Sequence, residues 1–204
     1  WIMTEYGWTW MSDYNWGWAP FHYGRWDYDN NYGWYWIPDN EWGPAWVTWL
    51  RAPGYYGWTP MGPGMNVRIS FGNDYNIYNN QWIFARERYF GRSNINHYYA
   101  SQNDYDRLLR SSTVITNTYI DNSRHTTYIS GPGRDDVQRA TGRRVNSYAV
   151  HENNVPGQSL SNRQARMYRP QVRENNDNEK HASPSRVTSL QDVRKPSERN
   201  APNQ

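Results

Sequence analysis

The sequence of 204 residues contains no cysteine and no long run of apolar side chains. The absence of cysteine excludes a disulfide framework, a thiol nucleophile and a cysteine-ligated metal site. No apolar run approaches the roughly 20 residues that a membrane-spanning helix needs. Only 36% of the residues are hydrophobic and the mean hydropathy is −1.12, which argues against one large aliphatic core. Tryptophan and tyrosine must therefore supply most of the buried area.

The sequence also lacks the residue patterns typical of catalytic and metal sites. The five histidines are His22, His97, His125, His151 and His181. No two of them have the i, i+4 spacing of zinc ligands on a helix. No Gly-x-Ser-x-Gly motif and no catalytic pair of carboxylates stands out. We therefore predict a protein that is not an enzyme and that needs no cofactor or metal.

One short stretch resembles part of a calcium-binding loop. Asp27, Asp29 and Asn31 have the spacing of its first, third and fifth positions. Tyr32 stands where the loop needs glycine, and no glutamate follows at position 12. The sequence therefore predicts a polar hairpin turn here instead of a calcium site.

Lysine is scarce, and tryptophan is concentrated near the N-terminus. Two lysines accompany 20 arginines, and every tryptophan except Trp82 lies within residues 1–58. Residues 1–64 carry two basic and six acidic residues, whereas the remainder carries 20 basic and 13 acidic residues. The net charge of only +3 argues against nucleic acid as a partner.

These composition changes predict three segments. Residues 1–64 form a Trp/Tyr-rich module, and residues 65–172 form mixed strands with one short helix near 133–142. Residues 173–204 form a low-complexity polar tail with too little apolar surface to build a core. We expect this tail to run extended along a partner.

The tryptophans of the first segment follow a repeat. Tyr6, Gly7, Trp8, Trp10, Asp13 and Trp16 recur 26 positions later as Tyr32, Gly33, Trp34, Trp36, Asp39 and Trp42. A shorter third copy contains Gly57 and Trp58. A fixed period of this length is typical of a repeated supersecondary unit. Because Trp1 itself occupies the opening position of a unit, we expect further units upstream of it.

Each repeat reads as a β-hairpin, with two extended segments around a Gly-containing turn. Alternation along a strand places Trp8 with Trp10, and Trp34 with Trp36, on one face. Stacked hairpins would bury these rings against one another. The predicted structural ladder is Trp8, Trp10, Trp16, Trp34, Trp36, Trp42 and Trp58.

The second segment contains further strand patterns and one helix pattern. Residues 79–90 predict a strand that buries Trp82 and Phe84, and residues 112–120 and 124–130 predict two more strands around a turn. Residues 133–142 predict a helix that ends at Gly142. The predicted fold class is mainly β, with tandem aromatic-rich hairpin repeats, one short helix and an extended C-terminal tail.

Two groups of residues are candidates for a ligand or partner surface. Trp18, Phe21, His22 and Tyr23 lie where the repeat is broken, so they are free to form a sugar-stacking patch. Arg166, Tyr168 and Arg169 precede the polar tail, and we expect them to contact protein. Cation–π pairing is one way in which these arginines can bind aromatic rings.

The aromatic motifs carry a resemblance to a known family. The sequences "YGWTWMSDYNWGWAP", "YGWYWIPDNEWGPAWVTW" and "GPGRDDVQRATGRRVNSY" resemble a tryptophan-rich bacterial domain of unknown function. That domain occurs in secreted or envelope proteins, mainly of Bacteroidota, and the resemblance covers roughly residues 1–172. It implies export to the periplasm, outer membrane or cell surface, with a signal peptide and another repeat upstream. The family supplies no catalytic residues.

Two functions fit this reading. The first is an interaction or scaffold protein of the cell envelope, whose partners are other envelope proteins or copies of itself. The second is a glycan- or peptidoglycan-binding module in which exposed tryptophan and tyrosine rings stack on sugars. We predict the first function and keep the second as the alternative.

Overall fold

The computed structural model describes residues 1–65 and 81–170, together with residues 187–189 and 192. Apart from those last four residues, the predicted tail over 173–204 lies outside the described residues. The start of the strand predicted at residue 79 also lies outside them. The described fold is mainly β, with several small sheets and a few short helices, as the sequence predicted.

The Trp/Tyr-rich module forms three antiparallel hairpins, which confirms the hairpin prediction for all three repeats. The strands are β1 (Ile2–Thr4), β2 (Gly7–Thr9), β3 (Tyr23–Asp29), β4 (Gly33–Trp42), β5 (Val47–Ala52) and β6 (Tyr55–Pro60). In the β3–β4 turn, Asp29 Oδ1 accepts hydrogen bonds from the backbone N–H groups of Asn31 and Tyr32, at 2.7 and 3.0 Å. This stretch is therefore a polar hairpin turn, as predicted, and the Asp29 carboxylate closes it.

The elements after residue 65 are seven strands, two α-helices and three 3-10 turns among the described residues. The strands are β7 (Ile83–Arg86), β8 (Thr113–Val114), β9 (Thr118–Asp121), β10 (Thr126–Ile129), β11 (Ser147–Asn153), β12 (Gln158–Ser161) and β13 (Gln164–Tyr168). The α-helices are α1 (Tyr105–Arg110) and α2 (Arg134–Thr141), and 3-10 turns span Glu87–Tyr89, Ile95–Tyr98 and Gln102–Asp104. Helix α2 confirms the prediction, and Gly142 ends it in the left-handed conformation at φ 65°. Helix α1 was not predicted, because six residues are too few to show a helical period.

The hairpins of the module pair with downstream strands. Strand β1 pairs in parallel with β11, giving a five-stranded sheet in the order β12-β13-β11-β1-β2. Strands β5 and β6 join β7 and β8 in a four-stranded sheet in the order β7-β6-β5-β8. Hairpins β3–β4 and β9–β10 each form a two-stranded sheet. Both larger sheets therefore combine strands from before and after residue 65.

The main core is an aromatic cluster between the first and third hairpins. Trp1 lies 4.6 Å from Trp49 and 5.5 Å from Trp58, measured between ring centroids. Trp8 packs its ring edge against Phe90 at 4.6 Å. Its indole N–H donates a 2.8 Å hydrogen bond to the carbonyl of Pro132, just before α2. Tryptophan rings thus fill the place of an aliphatic core, and Trp8 does so with its polar atom hydrogen-bonded.

A glycine in β6 makes room for a ring from β7. Gly57 pairs with Phe84, and a Cβ added at Gly57 would lie 2.5 Å from the Phe84 ring. Phe84 is fully buried in a second cluster with Trp82, Tyr105 and Leu108. Burial of Trp82 and Phe84 confirms the packed face predicted for this strand.

None of the helices in the described residues combines the length and apolar character needed to cross a bilayer.

Candidate functional site

The β3–β4 hairpin has one aromatic face. Trp26 pairs across the strands with Trp36, and Tyr28 pairs with Trp34. Residues that are directly opposite in an antiparallel pair point to the same side, so these four rings share a face. The other face carries Asp27 and its cross-strand partner Tyr35, whose hydroxyl donates a 2.7 Å hydrogen bond to that carboxylate.

Indole N–H groups hold the base of this hairpin in place. Trp26 donates to the carbonyl of Pro20 at 2.7 Å, and Trp36 donates to the carbonyl of Tyr23 at 2.7 Å. Trp46 donates to the carbonyl of His22 at 3.0 Å. These rings are therefore fixed by the protein itself, and their N–H groups are already used.

Two rings of this aromatic face, Trp26 and Trp34, line a cavity of about 360 Å³, which we name the aromatic groove. Its lining residues are Trp1, Trp10, Pro20, Phe21, Gly24, Trp26, Trp34, Ala45, Trp46, Val47, Trp58, Pro60, Ile83 and Tyr99. They come from all three hairpins, from β7 and from the segment after it. Among the described residues, no charged side chain lines this groove. The guanidinium of Arg25 lies 3.5 Å from the Trp46 ring centroid, so it occupies one face of that indole.

Four rings next to the groove form a stacked row. Tyr14 stacks on Trp16 with centroids 4.7 Å apart, Trp16 on Phe21 at 6.0 Å, and Phe21 on Trp26 at 6.1 Å. The interplanar angles are 13°, 28° and 22°. Tyr14 is 60% exposed and Trp16 is 54% exposed, so this end of the row is open to solvent. Phe21 and Trp26 also line the groove, so the two surfaces are continuous.

The structure divides the predicted tryptophan ladder. Trp8, Trp42 and Trp58 are buried, and Trp10 and Trp36 are partly buried. Trp16 is 54% exposed and Trp34 is 41% exposed, so the prediction of one structural ladder is wrong for these two. Equivalent repeat positions have different surroundings. Trp8 packs against Phe90 and donates to the carbonyl of Pro132, whereas Trp34 lies near the tip of a two-stranded hairpin.

The predicted sugar-stacking patch is not one surface. His22 is 1% exposed, its Nδ1–H donates a 2.8 Å hydrogen bond to the carbonyl of Gly43, and its ring stacks on Trp42 at 5.7 Å. Burial lowers the pKa of His22 below its ordinary value of 6.5. Tyr23 is also buried, and burial raises its pKa to about 12. Both side chains are structural, so the prediction that they form a ligand surface is corrected.

The other two members of that patch, Trp18 and Phe21, lie in different surroundings. Trp18 packs its ring edge against Tyr168 at 4.9 Å, and only Phe21 reaches the aromatic groove. The break in the repeat therefore coincides with a turn region between β2 and β3. Three of the four predicted residues nevertheless face the interior or β13.

The residues before the polar tail contact the N-terminal module of the same chain. The guanidinium carbon of Arg169 lies 3.9 Å from the Trp42 ring centroid, and its Nη1 donates a 3.1 Å hydrogen bond to the Tyr6 hydroxyl. Tyr168 packs against Trp18. Arg166 is exposed. Two of the three predicted residues thus contact protein, and that protein is the chain itself.

A polar cavity of about 770 Å³ lies beside Arg169. Its charged lining residues are Asp39, Glu41, Arg124, Glu152 and Arg169. Arg124 pairs with Glu152 at 3.2 Å, and Glu41 pairs with Arg25 at 3.6 Å. No group of three His, Cys, Asp or Glu side chains in the described part of the chain is placed to hold a metal ion.

Sequence reasoning missed most residues that build the groove. Trp26 could have been found, because it opens the second repeat and its alternation with Tyr28 sets the aromatic face. Trp46 lies in the conspicuous "WGPAW" block. Ile83 and Tyr99 carry no signal, because only the tertiary fold brings the region around β7 to the hairpin face.

The comparisons with known proteins concern the aromatic part of the chain. Residues 1–65 match the model of a "Family of unknown function (DUF6600)". No curated protein and no solved structure matches the chain. The segment that builds three hairpins and most of the groove is therefore similar to a domain of unknown function, which confirms that part of the sequence resemblance.

Proposed function

We propose that this chain is a non-enzymatic interaction or scaffold protein of the bacterial cell envelope, and that the aromatic groove binds a protein partner. The envelope location rests on the resemblance of the tryptophan motifs to a domain of exported proteins. The single observation that carries the binding role is the groove itself. A protein surface that exposes large aromatic rings within one concavity is typical of a binding site.

The composition of the groove supports a protein partner over a sugar. Sugar recognition needs hydrogen-bonding groups beside the stacking rings, because each buried hydroxyl must keep a partner. The indole N–H groups of Trp26 and Trp46 already donate to backbone carbonyls of the protein itself. Asp27 lies on the opposite face of the hairpin from Trp26 and Trp34. Apolar side chains of a protein segment need no such partners.

The groove is also pre-formed. Cross-strand pairing and an indole hydrogen bond fix Trp26, and an indole hydrogen bond fixes Trp46, so binding does not have to order these rings. Aromatic side chains are the residue type most often found as energetic anchors of protein interfaces. Trp34, with 41% exposure at the groove, is the best placed of them.

Glycan or peptidoglycan binding is the second candidate, and one observation favours it. Tyr14 and Trp16 are strongly exposed at the outer end of the stacked row. The outermost face of such a row is open to a sugar ring, and Asp13 beside it can bind hydroxyl groups. Tyr14 and Trp16 do not line the groove, so the two candidates can be separated by mutation.

The test compares partner capture by four full-length forms of the protein: the parent, Trp34→Ala, Tyr35→Ala and Trp16→Ala. Each form is immobilised and exposed to solubilised envelope proteins, and retained proteins are identified by mass spectrometry. Tyr35 is the matched control, because it is as exposed as Trp34 but lies on the opposite face of the same strand. We expect proteins that the parent and Tyr35→Ala retain and that Trp34→Ala does not.

A parallel experiment measures co-sedimentation of the same four forms with purified peptidoglycan sacculi. If the parent sediments with sacculi and Trp16→Ala does not, while no protein depends on Trp34, the glycan function replaces the protein-binding function. Near-ultraviolet circular dichroism of each variant controls for folding.

A further inference from the structure

We propose that the polar cavity beside Arg169 binds a sugar acid, a small ligand that carries one carboxylate and several hydroxyl groups. This site is separate from the aromatic groove, because no described residue lines both cavities. The cavity lies between β4, the β9–β10 turn and the residues after β13. Its volume of about 770 Å³ falls within the range of about 300 to 1,000 Å³ that is typical of small-molecule sites.

A buried cation without a carboxylate partner lines this cavity. Arg169 is only 6% exposed, and no described acidic side chain forms an ion pair with it. Tyr6 is the sole hydrogen-bond partner of its guanidinium among the described residues, and its Nε has none. The ring of Trp42 contacts the guanidinium but supplies no oxygen acceptor. Because a buried charge without a partner is costly, a bound anion would complete this site.

The other charged residues of the cavity limit the charge of that anion. Arg124 pairs with Glu152 at 3.2 Å, and Glu41 pairs with Arg25 at 3.6 Å, so these four charges already balance. Asp39 forms no ion pair with a described residue. A dianion such as phosphate would be repelled by the three acidic residues of the lining. A single carboxylate, which an arginine binds through parallel N–H groups, matches the one unpaired cation.

The remaining lining residues favour hydroxyl groups on the rest of the ligand. Asp39 offers only acceptors, whereas Asn40 and His125 offer donors as well as acceptors. All three are exposed at the cavity. A hydroxyl group can donate to Asp39 and accept from Asn40, whereas an ammonium group can only donate. A ligand with several hydroxyls therefore suits this mixed lining better than an amino acid does.

The experiment is isothermal titration calorimetry of the full chain with D-glucuronate at pH 7.5. Three control ligands each change one property of the probe. D-Glucose lacks the carboxylate, and L-alanine has a carboxylate and an ammonium group but no hydroxyl. Glucose 6-phosphate carries about two negative charges at this pH.

Two matched pairs of variants locate the site. Arg169→Gln removes the cation but keeps an amide that can donate to Tyr6, and Arg166→Gln makes the same change at an exposed position of β13 outside the cavity. Asn40→Glu adds a negative charge at the cavity, and Asn31→Glu adds it in the turn of the same hairpin. Both asparagines are exposed, so the second pair tests the site even if Arg169→Gln does not fold. Near-ultraviolet circular dichroism checks each fold.

We expect glucuronate to bind the parent at least about tenfold more tightly than each control ligand. Arg169→Gln should weaken glucuronate binding at least about tenfold, because a charged hydrogen-bonding partner is lost, and Arg166→Gln should change it less than about twofold. Asn40→Glu should weaken it at least about threefold through repulsion between carboxylates. Asn31→Glu should change it less than about 1.5-fold, because solvent and salt screen the added charge.

The other results each overturn the inference. Equal binding of glucose and glucuronate would show that the cavity does not select a carboxylate. Tighter binding of alanine or of glucose 6-phosphate would assign the cavity to an amino acid or to a phosphate. Unchanged glucuronate binding in Asn40→Glu would place the ligand elsewhere, and no binding to the parent would reject the site. None of these results bears on the aromatic groove, which Trp34→Ala tests.

Discussion

The guanidinium carbon of Arg169 lies 3.9 Å from the centre of the Trp42 ring, which joins the end of the last strand to the second hairpin. Arg169 is only 6% exposed, and no described acidic side chain pairs with it. Its charge is instead met by the ring of Trp42 and the hydroxyl of Tyr6. Arg169 therefore adds a buried cation–π contact to the β1–β11 pairing that already joins the C-terminal strands to the aromatic module.

Replacing this cation should destabilise the fold. We expect Arg169→Ala to lower the free energy of unfolding by about 2 to 3 kcal/mol, because a desolvated cation–π contact and a hydrogen bond to Tyr6 are lost. Urea denaturation measures the loss. Arg166→Ala is the control: Arg166 is exposed nearby, so its replacement should cost less than about 0.5 kcal/mol. Equal effects of the two changes would show that the Arg169 contact adds no stability.

The repeat provides a second matched pair of substitutions. Trp8 and Trp34 occupy equivalent repeat positions, but Trp8 is 2% exposed and Trp34 is 41% exposed. Trp8→Ala should cost about 3 to 5 kcal/mol, as for other buried aromatic truncations. Trp34→Ala should cost about 1 kcal/mol or less, because it loses mainly its edge contact with Tyr28. Thermal or urea unfolding of both variants tests this, and a similar loss for both would contradict the placement of Trp34.

This pair also shows how far the sequence could predict the structure. Turn residues and alternation identified all three hairpins, because both signals are local. Burial of a given ring depends on which distant segment covers it, and Trp8 is covered by the region around Phe90 and Pro132. Nothing near Trp8 or Trp34 in the sequence encodes that difference.

The same limit applies to the candidate site. Phe21 lines the groove, whereas His22 and Tyr23, which the sequence placed in the same patch, turn inward. Tyr99 reaches the groove from a segment with no aromatic repeat at all. A site that is formed by three hairpins and a distant strand is a property of their packing.

Gly57 should tolerate no side chain. An alanine Cβ at this position would lie 2.5 Å from the Phe84 ring, which is fully buried and cannot move freely. We expect Gly57→Ala to destabilise the protein by about 1 to 3 kcal/mol through overpacking. Chemical denaturation provides the measurement. The double change Gly57→Ala with Phe84→Leu should recover part of this loss if the clash is its cause, and no recovery would reject that explanation.

The buried histidine predicts a pH dependence of stability. His22 is 1% exposed, and burial holds its pKa below the ordinary value of 6.5, so the folded state favours the neutral ring. A group whose pKa is lowered by folding contributes stability above its unfolded pKa, and this contribution is lost as the pH falls. The free energy of unfolding should therefore decrease as the pH is lowered from 7.5 through 6.5 towards 5.

Two variants assign this dependence to His22. In His22→Asn the side-chain amide can still donate to the carbonyl of Gly43, but it does not titrate in this range. Its unfolding free energy should fall less steeply between pH 7.5 and pH 5 than that of the parent. His97→Asn is the control, because His97 is exposed and its replacement should leave the slope unchanged. Urea denaturation at each pH supplies the slopes, and an identical slope for the parent and His22→Asn would show that His22 is not the group responsible.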